Sequence, residues 1–329
     1  MSRRDIIAIG GSLGAVEAVK RLCRELPGDL AAALFITVHV GARGRNMLAE
    51  IFNQQSAIAV STAVDGAPFH PGHAYVAPAD HHLLVMDDVI RLGRGPRENM
   101  SRPAIDPLFR SVAASFGSRV IAVVLTGALN DGASGLADVK RCGGVTVVQN
   151  PRDAFAPDMP SEALQSSDVD YRAPLADMAA LLVQLSREDA GPTVKIPADI
   201  PSEVEIALGR AVISGLPEGL SDFTPLSCPA CGGVLSQMRQ GPPLRFRCQV
   251  GHGYTAEALV TAKEGSVDEA MRVALRILNE RVVLTAKMAE EARYSGRHAA
   301  AASYEQRLEE SEAHAEMLRR AISGTQTKD

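Results

Sequence analysis

Apolar and polar positions alternate between two regimes along the first half of the chain. Short, almost wholly apolar runs occur at 5–10 (DIIAIG), 33–38 (ALFITV), 119–125 (RVIAVVL) and 144–148 (GVTVV). Runs of that length without polar interruption suit parallel strands covered on both faces. Between them, 14–25, 44–53, 105–116, 132–141 and 175–186 repeat apolar residues at helical spacing. Strand followed by helix followed by strand predicts a doubly wound, mostly parallel α/β sheet. Residues 60–93 depart from this rhythm. Their short runs at 73–77 and 82–86, with Pro71-Gly72 and Met86-Asp87-Asp88 between them, predict a β-hairpin insert.

Near 187–203 (REDAGPTVKIPADIPSE) periodicity gives way to proline and charge, which marks a boundary. A short helix is expected at 203–214, then a cysteine-containing segment, then two long helical patterns at 266–295 and 298–322. SGRH at 295–298 breaks the two, so a helical hairpin is expected. The division expected is an α/β domain at 1–187, a linker with a short helix at 188–225, a small Cys/His module at 226–256 and the helical hairpin at 257–329.

Composition narrows the class. Apolar residues make up 46% of 329, with no Trp and 4% aromatics, so the core must be aliphatic. The net charge of −5 and the lack of a basic run argue against a nucleic-acid partner. No apolar stretch is long enough to span a bilayer, and no cleavable leader is legible, so the expected location is the cytoplasm. Cys23 and Cys142 fall in apolar helical patterns and read as buried thiols. Cys228, Cys231, Cys248 and His252 follow C-x2-C-x16-C-x3-H, the ligand spacing of a zinc ribbon or knuckle. Four protein ligands leave no open position, so the metal expected is structural zinc, with a metal-free small domain of reduced cysteines as the alternative. Arg245 and Arg247 beside it read as solvated side chains, with an acidic partner as the alternative.

Gly10-Gly11-Ser12-Leu13-Gly14 sits where the first strand turns into the first helix. A dinucleotide site needs a second glycine where Ser12 stands and an acidic residue at the tip of the second strand, where His39 stands. Both requirements fail. G-x-S-x-G across a strand–helix turn instead suits a serine nucleophile, with Ser12 as a simple helix cap the plainer alternative. A serine needs a base and an orienting carboxylate. His39 ends the second strand, and Asp131 follows the 119–125 strand, so all three belong to one sheet edge. Asp131 as a helix cap and His39 as a satisfied strand-end residue are the competing readings. His70, His73, His81 and His82, in the hairpin region, read as surface or rim residues.

The stretches IAIGGSLGA, ITVHV, GHAYVAPADHHL, SRPAIDPLFRSVA, VVLTGALNDGASGL and GGVTVVQNPRDAFAPDMPSEAL together resemble the catalytic domain of bacterial chemotaxis protein-glutamate methylesterases, over residues 4–187. The resemblance implies hydrolysis of γ-glutamyl methyl esters on the cytoplasmic helices of chemoreceptors, with deamidation of glutamine in some members. It implies Ser12 as nucleophile, His39 as base and Asp131 as its partner, with no cofactor for catalysis and the backbone N–H groups of Leu13 and Ala128 facing the oxyanion. Ser12-Leu13-Gly14-Ala15 and Thr126-Gly127-Ala128-Leu129 depart from the family's Ser-Thr-Gly-Gly and Thr-Gly-Met-Gly. A weakened adaptor, or an unrelated serine esterase or amidase on the same fold, are therefore the alternatives. Because the catalytic domain is read as starting at residue 5, a stand-alone enzyme without the family's receiver domain is expected. The partner of the helical tail is not named by the sequence.

Overall fold

The computed structural model describes residues 2–40, 46–192, 194–211 and 219–325. Positions 44–45 and 212–214 of two expected helices lie outside the described residues. The chain divides into two compact units, Met1–Leu259 and Val260–Asp329.

The first unit is built on seven strands: β1 (Ile6–Gly11), β2 (Ala33–Val38), β3 (Ala59–Thr62), β4 (His73–Val76), β7 (Val120–Val124), β8 (Val145–Gln149) and β9 (Tyr171–Ala173). They run in the order β3-β4-β2-β1-β7-β8-β9, and every pairing is parallel. Alternate side chains explain the continuous apolar runs. Ile7, Ile9, Leu34, Ile36, Ile121 and Val123 join one core with helices α1 (Ala15–Glu25), α2 (Leu48–Asn53) and α6 (Leu175–Arg187). Ile6, Ala8, Phe35, Ala122 and Val124 join the other, with α3 (Ile105–Phe116), α4 (Ala133–Arg141) and α5 (Asp158–Ser166). Each such Ile, Leu or Val contributes about 1.5–3 kcal/mol by leaving water.

The antiparallel hairpin is shorter than the sequence suggested. Only β5 (His82–Met86) and β6 (Val89–Gly93) form it, while β3 and β4 join the parallel sheet. Its turn puts Asp87 and Asp88 at φ 51° and 58°, the paired left-handed conformation that closes a two-residue hairpin. α5 and β9 were not foreseen. β9 has three residues, with Tyr171 and Arg172 exposed, so it carries almost no apolar signal.

Helix α7 (Asp199–Leu208) and strands β10 (Ser221–Ser227), β11 (Val234–Met238), β12 (Arg245–Cys248) and β13 (Gly253–Thr255) complete this unit. The last four form an antiparallel sheet. Arg245 and Arg247 are buried, not solvated: their acidic partner lies within the chain. Arg245 contacts both carboxylate oxygens of Glu203 on α7, at 2.8 and 2.9 Å. Arg247 reaches Glu98 and Glu203, each at 3.0 Å. Arg110 of α3, also buried, reaches Glu98 at 2.6 Å, Asp138 at 3.1 Å and Glu203 at 3.1 Å. Burial alone would raise the Glu203 carboxyl; the three guanidinium groups overcome it and hold it well below the usual carboxylate range.

The second unit is a helical hairpin. α8 (Ala256–Tyr294) begins at the edge of the first unit, and α9 (His298–Thr325) returns after Gly296, whose φ is 70°. Thr285, Ala289, Ala292, Ala301, Ser311 and Ala315 are buried in it among the described residues. Small side chains let two helix backbones approach closely. No described helix is long and apolar enough to cross a membrane.

Glu203→Gln takes a carboxylate partner from three buried arginines, Arg110, Arg245 and Arg247. Its unfolding free energy should fall by about 3–5 kcal/mol, measured by urea denaturation followed by circular dichroism. A change below about 1 kcal/mol, the range of exposed pairs, would show that these charges are not effectively buried.

Candidate active site and cysteine–histidine centre

β1 and β2 pair in register through Gly11 and Val38, so the next residues, Ser12 and His39, leave the sheet side by side. Backbone bonds fix both turns. His39 N–H donates to Gly11 O at 3.2 Å, and Ser12 N–H donates to Thr126 O at 3.0 Å. β7 lies on the other side of β1, and its loop carries Asp131. The sheet order reverses direction here, where open α/β sheets form their crevice. Gly10 is needed for the approach of α3. A Cβ there would lie 2.2 Å from Ile105 Cγ2, well inside contact.

His39 Nε2 donates to Asp131 Oδ2 at 2.7 Å. The other ring nitrogen, Nδ1, makes no hydrogen bond among the described residues. Ser12 is half-buried, and its Oγ makes no hydrogen bond to His39 among the described residues. Nucleophile–base contacts often tighten only once substrate is bound. Ser12 is not a helix cap. Gly14, at φ 80°, occupies the cap position of α1. Asp131 is not the cap of its own helix either; Gly132, at φ 93°, holds that place.

Asp131 is 2% exposed and lies among donors. Besides His39 it accepts from Ile105 N at 2.6 Å, Asp106 N at 3.3 Å, Gly132 N at 3.1 Å and Asn99 Nδ2 at 3.0 Å. Ile105 and Asp106 open α3, so the positive end of that helix faces the carboxylate. Burial alone would raise its pKa. The hydrogen bond and charge of His39, the Ile105 N–H and the Asn99 amide overcome this and hold it below the ordinary value. Asp106 returns the exchange, accepting from Gly132 N at 3.1 Å and Gly135 N at 2.6 Å at the start of α4. Burial pushes Asp106 up to about 7; Arg110 opposes this, while Asp131 and Glu98 add to it.

The loop after β7 is locked to the serine turn. The Thr126 hydroxyl donates to Leu13 O at 2.9 Å and accepts from Ala156 N at 2.8 Å. Gly127 N donates to Ala156 O at 3.0 Å. The N–H groups of Leu13 and Ala128 have no acceptor among the described residues, which leaves both available to an oxyanion. Leu129 beside them stands at φ 63°, a strained position for a branched side chain.

The other histidines separate. His70 is exposed, and His73 and His81 are half-buried. His82 is fully buried, contrary to the surface placement expected of it. Its Nε2 donates to Pro96 O at 3.0 Å and its Nδ1 accepts from Ala104 N at 3.2 Å, so it fixes the residue just before α3. A histidine at a strand start gives no sign of this; the partners come from a loop beyond the hairpin. Asn99, Asp106 and Asn130 were also missed. Asp106 had a signal, being an acidic residue in the first turn of a helix.

Cys228, Cys231, Cys248 and His252 converge, and their ligand atoms all lie within 4.8 Å of one another. Cys231 Sγ–Cys248 Sγ is 3.7 Å; His252 Nδ1 is 3.5 Å from Cys248 Sγ and 3.8 Å from Cys228 Sγ. A tetrahedron with zinc–sulfur and zinc–nitrogen bonds of ordinary length has edges of about 3.8 and 3.6 Å. The donor set thus fits a metal ion. Two tight turns supply it. Gly232 N donates to Cys228 O and Gly251 N to Cys248 O, both at 2.8 Å. Tyr254 Oη lies 3.6 Å from Cys228 Sγ.

The CheB methylesterase family model matches residues 7–182. The chain belongs to the CheB methylesterase family. A protein-glutamate methylesterase/protein-glutamine glutaminase of Yersinia pestis bv. Antiqua is 37% identical over 195 residues, 58% of this chain and 56% of the relative. The chain thus spans about half that relative's length. A Leptospira interrogans protein given the same name provisionally is 35% identical over 186 residues, 56% of this chain and 96% of that protein. The CheB methylesterase catalytic domain of Thermotoga maritima superposes with a TM-score of 0.53 at 28% identity, covering 56% of this chain and 99% of that domain. The CheB match ends before the cysteine–histidine centre.

Burial holds His82 neutral, below the ordinary histidine value, although Glu98, Pro96 O and Asp131 favour its proton. An unfolded chain binds that proton near pH 6.5. The stability this confers is therefore present above about pH 6.5 and is lost as pH falls. His82→Gln should remove part of this dependence, at most about 1.4 kcal/mol per pH unit, in urea denaturation between about pH 5 and 7. An unchanged slope would exclude His82 as its source.

Proposed function

We propose that the chain is a protein-glutamate methylesterase that hydrolyses γ-glutamyl methyl esters, and deamidates glutamine, on the cytoplasmic helices of chemoreceptors. The observation that carries this is the 2.7 Å contact between His39 Nε2 and buried Asp131, at the strand end next to Ser12. Asp131 orients the ring and stabilises the imidazolium that forms in the course of the reaction. His39 Nδ1 takes the hydroxyl proton as Ser12 Oγ attacks the ester carbonyl. The N–H groups of Leu13 and Ala128 hold the oxyanion. As the C–O bond breaks, His39 returns the proton to the methoxy oxygen and methanol leaves. Water then loses a proton to His39 and attacks the glutamyl–Ser12 ester, which regenerates the hydroxyl and leaves a free glutamate. With glutamine the leaving group is ammonia.

Leu13 and Phe155 are exposed apolar residues beside the nucleophile turn, 54% and 77% accessible, and suit a helical protein substrate. The cytosol is the compartment where such a substrate meets the enzyme. Cys228, Cys231, Cys248 and His252 would hold a structural zinc ion, which closes the two turns between β10 and β13; no catalytic step involves it. The helical tail serves a docking role for a partner still to be identified.

Ser12→Ala should reduce methanol release from methylated receptor by about four orders of magnitude or more, and Asp131→Asn by about 10⁴. Release unchanged in the Ser12 variant would reject the assignment. Elemental analysis of the purified chain should find about one zinc per molecule, lost in a Cys228→Ser/Cys248→Ser variant. Absence of bound metal after purification without chelators would reject the zinc site.

A further inference from the structure

We propose that Asn99 is a positioning residue for Asp131, and that the cysteine–histidine module holds Asn99 in place through Thr255; the inference rests on the esterase reading of Ser12, His39 and Asp131.

The Asn99 side chain has a donor end and an acceptor end, and both are used. Its Nδ2 donates to Asp131 Oδ1 at 3.0 Å and to Asp106 Oδ2 at 3.1 Å. Its Oδ1 accepts from Thr255 N at 3.0 Å. Its own N–H donates to Gly253 O at 2.9 Å. Asn99 thus continues the β13 ladder by backbone while its amide reaches two buried carboxylates. An amide alone among side chains of this size does both. Aspartate would add a third negative charge, and an aliphatic residue would leave Asp131 one donor short.

Thr255 grips the other flank of Asp131 as well. Its Oγ1 donates to Asn130 Oδ1 at 2.8 Å, and Asn130 Nδ2 donates to Glu257 Oε2 at 3.0 Å. Asn99, Asn130 and Thr255 are at most 5% exposed. Thr255 follows the ligand His252 by three residues, on the strand that leaves the metal turn. The module therefore reaches Asp131 along two routes, through the Asn99 amide and through the chain neighbour Asn130.

Asn99 and Met100 stand at φ 47° and 65°. Successive non-glycine residues in that region are strained, and the contacts to Gly253 and Thr255 hold the first of them there. This conformation supplies a clean variant. Asn99→Gly tolerates the left-handed backbone without strain, so it keeps the loop and removes only the amide.

Asp131 with one donor fewer holds the His39 imidazolium proton more tightly. In the full-length protein, Asn99→Gly should lower kcat by about 10- to 100-fold with KM little changed. The acid limb of its kcat–pH profile should move to higher pH. Thr255→Val keeps the backbone N–H to Asn99 and removes the hydroxyl bonded to Asn130, so it should move the limb the same way by a smaller amount. Histidine-labelled NMR reads the same geometry without turnover: the His39 Nε2 proton resonance should shift in both variants, also in a Ser12→Ala background. An unshifted acid limb and His39 resonance in Asn99→Gly would overturn the proposal, whatever its kcat. Wild-type protein without esterase activity would refute the esterase reading instead, and the resonance would still decide the placement of Asp131.

Discussion

A carboxylate taken out of water must find hydrogen-bond donors or give up its charge. Much of the first unit is arranged around this requirement at Asp131. The first two N–H groups of α3 point at it, the start of α4 supplies a third, and two side chains complete the shell. Meeting that demand fixes where α3 begins, hence where the β5–β6 hairpin packs and why Gly10 has no side chain. Asp106 faces the same problem one step away and solves it by bonding the start of α4. Each of the two helices is thus anchored by an acidic residue from the other's terminus.

The same constraint recurs where the α/β layer meets the small antiparallel sheet. Glu98 and Glu203 are buried with Arg110, Arg245 and Arg247, drawn from three separate stretches of chain. Such a cluster favours association only in one geometry, because any displaced partner leaves an unpaired charge in a medium that solvates it poorly. It therefore fixes the register of β12 against the α/β layer. The contacts of Thr255 with Asn99 and Asn130 depend on that register.

Much of this architecture was legible in the sequence wherever a residue's fate is decided locally. Strands buried on both faces announce themselves by unbroken apolar runs, and SGRH marked the break between the long helices. The spacing of Cys228, Cys231, Cys248 and His252 is equally local. Ser12, His39 and Asp131 could be placed together because parallel pairing and strand order send all three to one edge. What escaped was decided at long range. β3 and β4 look like hairpin strands because they are short, yet β4 takes its register from β2 and β3 takes its own from β4. Arg245 and Arg247 look solvated until Glu203, some forty residues earlier in the chain, is folded against them. His82 is ordinary in sequence, and its two partners come from Pro96 and Ala104. Asn99 gave no signal, since its role lies in which groups approach it.

The close approach of Ile105 to the Cα of Gly10 carries a lesson about mutational tolerance. Gly10 has no functional group and touches no reactant, yet the smallest enlargement there would push against the residue whose backbone N–H steadies the acidic partner of His39. Selection for turnover would thus be felt at a position with no chemistry of its own. In this fold the boundary between scaffold and machinery runs through single backbone atoms, and an inventory of reactive side chains alone underestimates how many sites an active protein must keep fixed.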